Sequence, residues 1–307
     1  MVALAAWLSV PAAANAFIIG MSDQKLGMWE DPRFEKLGIK HVRILMSWDN
    51  VLRGDFSRYE AWMANAHLRG ADVLLTIQHH SRHPKRLPTF KQYRRTIRIL
   101  RKRYPWVNTM SAWNEANHQT QPTWTKPKRA AQYYNVMRDE CRGCRIVAAD
   151  VLDSPNMLPW LATFKRYAKK PRIWGLHSYA DANHFRQFSY SSARALLRSV
   201  RGEVWLTEAG GIVRFANLYR GGKRGEARAA AAVKQTFAIA RSSGRIRRVY
   251  IYHWDADPKF IRWDSALVGA NGRARPALDV LRKEINRQRK GRGPMVARLP
   301  RYPQTAP

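Results

Sequence analysis

Residues 72–114 read DVLLTIQHHSRHPKRLPTFKQYRRTIRILRKRYPWVNTMSAWN, and the fold follows from this unit. The run 72–79 is rich in Val, Ile and Leu with little alternation, the pattern of a strand covered on both faces. Further on, Tyr93, Ile97, Leu100 and Tyr104 recur at intervals of four, three and four, which places them on one face of a helix. Arg94, Arg95, Arg98, Arg101, Lys102 and Arg103 take the other faces, and Pro105 marks the stop. A second covered run, 107–114, follows. Two such strands joined by a helix form a parallel βαβ unit.

The unit repeats outward in both directions. Covered runs occupy 16–21, 41–48, 72–79, 107–114, 145–151, 173–179, 203–208 and 248–254, eight in all. Helical spacing recurs between them, with Ala130, Tyr134, Met137 and Cys141 on one face and Val233, Phe237 and Ala240 on another. Eight units predict an α/β chain closed into a single-domain (β/α)8 TIM barrel over residues 17–290, which leaves no strand edge exposed. The competing arrangement is an open doubly wound sheet. Against it, the first strand–loop junction lacks a G-x-G-x-x-G phosphate loop.

The flanks read differently. Val2–Val10 is apolar, and Ala14-Asn15-Ala16 has the small-x-small form of a signal-peptidase site, so 1–16 is expected to be a signal peptide or leader and the protein secreted or wall-associated. Export would allow Cys141 and Cys144, the only cysteines, to close a small disulfide loop. The tail 291–307 is basic, Pro-rich and expected to be unstructured. No later run reaches the roughly 18 apolar residues of a membrane span.

Charge sets the expected partners. The 307 residues hold 55 Lys+Arg against 22 Asp+Glu, a formal +33. That field favours acidic glycans, cell-wall polymers, anionic membranes or nucleic acid, unless it only reflects Arg-rich helix exteriors. Residues 82–104 alone hold ten Lys/Arg and no acid, read either as a solvated helix face or as a docking surface for a polyanion.

In a barrel of this kind the site gathers at the C-terminal ends of the strands. Those ends carry Trp48, His79 and His80, Asn114 and Glu115, His177 and Tyr179, Glu208, and Trp254. Glu115 and Glu208 are 208 − 115 = 93 residues apart. That is three units of about 31, the spacing of eight units in roughly 250 residues. The two glutamates are therefore expected at equal heights across the barrel mouth, with His177 one unit before Glu208. Two facing carboxylates can divide the roles of acid and nucleophile. No H-E-x-x-H or equivalent ligand set appears, so neither metal nor cofactor is expected.

These residues resemble a known group. WNEAN at 113–117 and LTEAGG at 206–211 look like the paired strand-four and strand-seven glutamate motifs of the clan A retaining glycoside hydrolases, and VRILMSW at 42–48 looks like that clan's strand-two segment. The resemblance implies a retaining O-glycosidase acting on an oligo- or polysaccharide, with Glu115 as acid/base and Glu208 as nucleophile. It implies that Arg43 supports the nucleophile, that Asn114 bonds the sugar 2-hydroxyl, and that His177 and Tyr179 fill the strand-six positions. Trp254 matches the strand-eight aromatic platform, Trp48 is expected to stack on sugar beside it, and His79 and His80 loosely match the strand-three histidine. Ala116 stands where many members carry proline. As acid, Glu115 is expected to have a raised pKa, through Trp113 and the second carboxylate; Glu208 is expected to stay ionised beside Arg43 with a bond from Tyr179 or His177. Two other classes remain: a non-catalytic barrel binding a polyanionic glycan or nucleic acid through its basic helices, and a lyase or aldolase, for which no Schiff-base lysine ends a strand.

Overall fold

Eight parallel strands close on themselves, in the order in which they occur along the chain. They are β1 (Ile18–Ser22), β2 (His41–Ser47), β3 (Asp72–Gln78), β4 (Thr109–Ser111), β5 (Arg145–Leu152), β6 (Ile173–His177), β7 (Glu203–Ala209) and β8 (Ile246–Tyr252). The structure, a computed structural model, describes residues 17–259 and 262–291. The expected leader at 1–16 and the tail beyond Gly291 lie outside the described residues. A helix follows each strand: α1 (Pro32–Leu37), α2 (Glu60–Leu68), α3 (Phe90–Arg103), α4 (Pro127–Glu140), α5 (Met157–Tyr167), α6 (Ser192–Ser199), α7 (Gly222–Arg241) and α8 (Pro276–Gly291). The predicted TIM barrel is the observed fold. Among the described residues no helix is long and apolar enough to cross a membrane.

The helices form where the sequence provides both a start and a face. Thr89 opens α3 with a capping box, its hydroxyl accepting from the Gln92 N–H while the Gln92 side chain accepts from the Thr89 N–H. Tyr93, Ile97, Leu100 and Tyr104 are all buried, and Arg101, Lys102 and Arg103 occupy the last turn, where the helix dipole favours cations. Cys141 and Cys144 are joined in a disulfide just after α4.

The packing of α3 reaches the site. Tyr93 stacks on Tyr133 at 4.4 Å, and Tyr133 stacks on Trp113 at 5.4 Å. The Tyr93 hydroxyl donates to the Ala112 carbonyl. This column fixes the segment that precedes Asn114 and Glu115, each ring pair adding about 0.5–1.5 kcal/mol beyond its burial. It also explains why β4 is shorter than the run 107–114. From Ala112 the chain leaves the ladder, bound by aromatic packing and by the Asn114 N–H to the Ile77 carbonyl.

Inside the barrel the side chains form layers. The lower layer is apolar, with Leu74, Val147, Trp205 and Tyr250 in one cluster. Above it the interior turns polar, with Ser22, Arg43, Ser111, Asp150, His177 and Thr207 all buried. That change of layer makes the floor of the mouth.

Candidate active site

Arg43 lies on β2, in register with Ser22 of β1 and Leu74 of β3, and points into the barrel. It is wholly buried and binds in several directions. Its guanidinium donates to Glu208 Oε2 at 2.5 Å, Asn114 Oδ1 at 2.7 Å, Ser22 Oγ at 3.2 Å and Asp150 Oδ2 at 3.3 Å. The Tyr179 hydroxyl donates to Glu208 Oε1 at 2.9 Å. Both oxygens of Glu208 are thus held by donors, which fixes the carboxylate in place.

Glu115 ends the segment after β4 with φ of 44°, a left-handed turn uncommon for a residue with a side chain. His177 Nδ1 stands 3.1 Å from Glu115 Oε1 and 3.9 Å from Glu208 Oε2. The spacing argument holds: Glu115, His177 and Glu208 each offer an atom within 4.8 Å of the others. Among the described residues these three are also the one group of His, Cys, Asp and Glu able to surround a metal ion. Arg43 and Tyr179 already occupy the Glu208 oxygens, so a cation there would compete with a guanidinium for the same atoms.

Asp150 is a site residue that the sequence did not mark. Its Oδ2 accepts from Ser111 Oγ at 3.0 Å, its Oδ1 accepts from the Thr207 hydroxyl, and Oδ1 lies 3.5 Å from His177 Nε2. Strict alternation along β5, with Val147 facing inward, would send position 150 outward. A bulge intervenes between Ala148 and Val151, where Ala149 and Asp150 have φ of 67° and 48°. Gly175 on β6 completes the arrangement, because a Cβ there would lie 2.2 Å from Asp150 Oδ1. The available signal was an aspartate inside an otherwise apolar strand.

Electrostatics departs from the expectation for Glu115. Burial alone would lower the His177 pKa, but Glu208, Asp150 and Glu115 together raise it to about 10. Burial alone would raise Glu115, but the His177 contact, with His118 and Arg43 behind it, holds its carboxyl below the usual range. The raised pKa expected for Glu115 is therefore corrected. The cause is His177, which stands nearer Glu115 than Glu208, so that Tyr179 alone of the expected pair bonds the nucleophile candidate. Burial and the Glu208 charge push the Tyr179 phenol well up, which keeps it a donor.

Some expected residues lie elsewhere. Trp254 is wholly buried, edge-on to Phe34 at 5.3 Å, with its ring N–H on Asp31 Oδ2, so it offers no face to a sugar. Trp48 is buried against His80, whose ring centroid is 5.2 Å away. His80 braces its own loop, Nδ1 accepting from the N–H groups of Arg82 and His83. His79 is half-buried, its Nδ1 3.0 Å from the His80 carbonyl, and makes no contact with the carboxylates. The aromatic rings beside the site are others. Trp263 is half-buried and stands edge-on to Tyr179 at 5.1 Å. Tyr252, at the end of β8, is also half-buried; burial and then the charge of Glu208 push its phenol up.

No family model and no curated protein matches this sequence. Solved structures do share its fold. A GH5_18 protein from Streptomyces cattleya, in complex with GlcNAc, is similar at 18% identity over 90% of this chain and 81% of that one, with a TM-score of 0.61. Xylanase 10B from Thermotoga petrophila RKU-1, in complex with xylobiose, is similar at 13% identity over 88% and 95%, with a TM-score of 0.63. Native xylanase 10B from Thermotoga maritima is similar at 12% identity over 90% and 97%, also with a TM-score of 0.63. At these identities the likeness is one of fold: the chain has the barrel that these glycoside hydrolases share.

Proposed function

We propose that this protein is a secreted glycoside hydrolase that cleaves O-glycosidic bonds with retention. The observation that carries the reading is the pair Glu115 and Glu208, brought within 4.8 Å through the barrel mouth, with Arg43 and Tyr179 fixing one of them. Retaining glycosidases place their carboxyl groups about 5–5.5 Å apart and inverting ones roughly 6.5–9.5 Å; one oxygen of each glutamate lying within 4.8 Å supports the retaining spacing over the inverting one. The sugar complexes of two similar barrels support a carbohydrate substrate.

In this reading Glu208 attacks the anomeric carbon as the glycosidic C–O bond breaks, and Glu115 protonates the departing oxygen. Glu115 then takes a proton from water, which displaces Glu208 and releases the sugar. Asn114 is held through its Oδ1 by Arg43, leaving its amide nitrogen to reach the 2-hydroxyl. The proton needed by the leaving group rests on His177 Nδ1, 3.1 Å from Glu115 Oε1. As substrate displaces water, the carboxylate loses hydration and the proton moves onto Glu115.

The test is activity on aryl glycosides and polysaccharides, with the product anomer read by NMR. Glu208→Ala reduces turnover to background in a chain that still folds, with a lowered melting temperature because buried Arg43 loses a partner. Glu115→Gln lowers turnover about 10²–10⁴-fold on substrates with poor leaving groups, and less where the leaving group needs no proton. An inverted product, or substantial turnover by Glu208→Ala, removes the reading.

A further inference from the structure

The loop that leaves Glu115 also builds one wall of a second depression. This groove, of 720 Å³, lies between the segment Arg82–Lys85 and the segment Gln119–Lys126, at the C-terminal ends of β3 and β4. Its wall is braced from beneath. The Trp113 ring N–H donates to Gln121 Oε1 at 3.2 Å, Thr123 Oγ1 donates to the Ala116 carbonyl at 2.8 Å, and the Trp160 ring N–H donates to the Thr123 carbonyl at 3.4 Å. A further hollow of 470 Å³ continues from it, sharing Thr125 and Lys126 and ending at Tyr167.

The lining is of one charge. Arg82, Lys85 and Lys126 are exposed, no acidic side chain lines the groove, and among the described residues none of the three forms an ion pair. This differs from α3, where Arg94 and Arg98 are taken up by Glu140 and Arg103 by Glu60. Trp124 stands in the groove 45% exposed, an apolar face of a size to stack on a pyranose ring. His118 links the two regions, with Nδ1 3.8 Å from Glu115 Oε2 and 2.7 Å from Thr120 Oγ1.

We propose that this groove binds an anionic polysaccharide, a chain carrying sugar carboxylates, with Trp124 under a ring and Arg82, Lys85 and Lys126 on the acid groups. The proposal deepens the glycosidase reading and rests on it for the direction of the chain, from the groove toward Glu115 and Glu208. A sugar chain is favoured over a nucleic acid strand by the same site. A phosphodiester has a charge at every link and would bring one onto Glu115, Glu208 and Asp150, whereas a polysaccharide can place a neutral ring there.

The experiment measures binding apart from hydrolysis, by calorimetry on the full chain carrying Glu208→Ala. The probes are hyaluronan fragments, in which charged and neutral rings alternate, dextran of the same length, and oligothymidylate of the same charge. Hyaluronan binds, dextran does not, and the affinity falls steeply as salt is raised to about 0.5 M. Adding Trp124→Ala, or Lys85→Glu with Lys126→Glu, weakens binding about tenfold with the melting temperature unchanged. The same charge change on helices across the ring from the groove, Lys234→Glu on α7 with Lys283→Glu on α8, alters it less than about twofold at about 0.15 M salt, where the Debye length is about 8 Å. Equal loss in that control, equal binding of dextran, or tighter binding of oligothymidylate overturns the proposal. The two readings fail separately. Polymer bound at Trp124 by a parent chain that cleaves no glycoside sinks only the glycosidase, and cleavage of neutral glycans by a chain whose groove variants bind like the parent sinks only the groove.

Discussion

Asp150 shows how one side chain sets the chemistry of its neighbours. It is wholly buried, bonded to Arg43, Ser111 and Thr207, and it faces His177. Burial would raise its own pKa, but the charges of His177 and Arg43 hold it far below the usual carboxylate range. Asp150→Asn removes one of the three carboxylates that raise His177, so the imidazole should titrate below the parent's value of about 10. Glu115 should then rise toward its ordinary range, because less imidazolium stands against it. Proton-detected NMR of the His177 ring over pH 6–11 would check this, and an unmoved titration would refute it. The stability effect has a definite sign. A histidine raised from about 6.5 to about 10 gives stability that is fully present below pH ~6.5 and lost as pH rises through 10. The parent should therefore weaken over that window, and Asp150→Asn should weaken less steeply. At neutral pH the variant is the less stable chain by about 3–5 kcal/mol, since Arg43 keeps its charge and loses a buried partner.

At the scale of elements, the site depends on helices that do not touch it. The column Tyr93–Tyr133–Trp113 runs from α3 through α4 to the segment that delivers Asn114 and Glu115. Tyr133 is fully buried and its hydroxyl donates to the Pro88 carbonyl at 2.5 Å. Tyr133→Ala should cost about 3–5 kcal/mol in a urea melt, because the aromatic volume is lost from a packed stack. It should also lower kcat more than it raises KM, since misplacing Glu115 harms proton transfer rather than sugar contact. A variant with the stability loss and an unchanged kcat would separate the column from the site. These elements were legible in the sequence because apolar spacing repeats along each of them. The bulge in β5 was not legible: it depends on a left-handed Ala149 and on the vacancy at Gly175, one strand away.

For the whole molecule, the charge of +33 acts against compaction. Many arginines are paired, as Arg94 and Arg98 are with Glu140, but exposed pairs return at most about 1 kcal/mol each. Self-repulsion exceeds this, so calorimetry should show the melting temperature rising as sodium chloride goes from low salt to about 0.3 M, where the Debye length is near 6 Å. A fall over that range would mean that the surface pairs outweigh the net charge. The sequence by itself determined the barrel, its strand order and the meeting of Glu115 and Glu208. Those follow from a repeat of about 31 residues, and closure of eight units converts spacing along the chain into position around a ring. It also marked Arg43, His177 and Tyr179, because each ends or lines a strand at the mouth. Only the tertiary structure decided which rings lie beside the site, Trp263 and Tyr252 rather than Trp254 and Trp48, and which carboxylate His177 serves. The physical reason is that a strand end fixes height, while the side of the backbone on which a side chain emerges depends on bulges and on neighbours brought together only by folding.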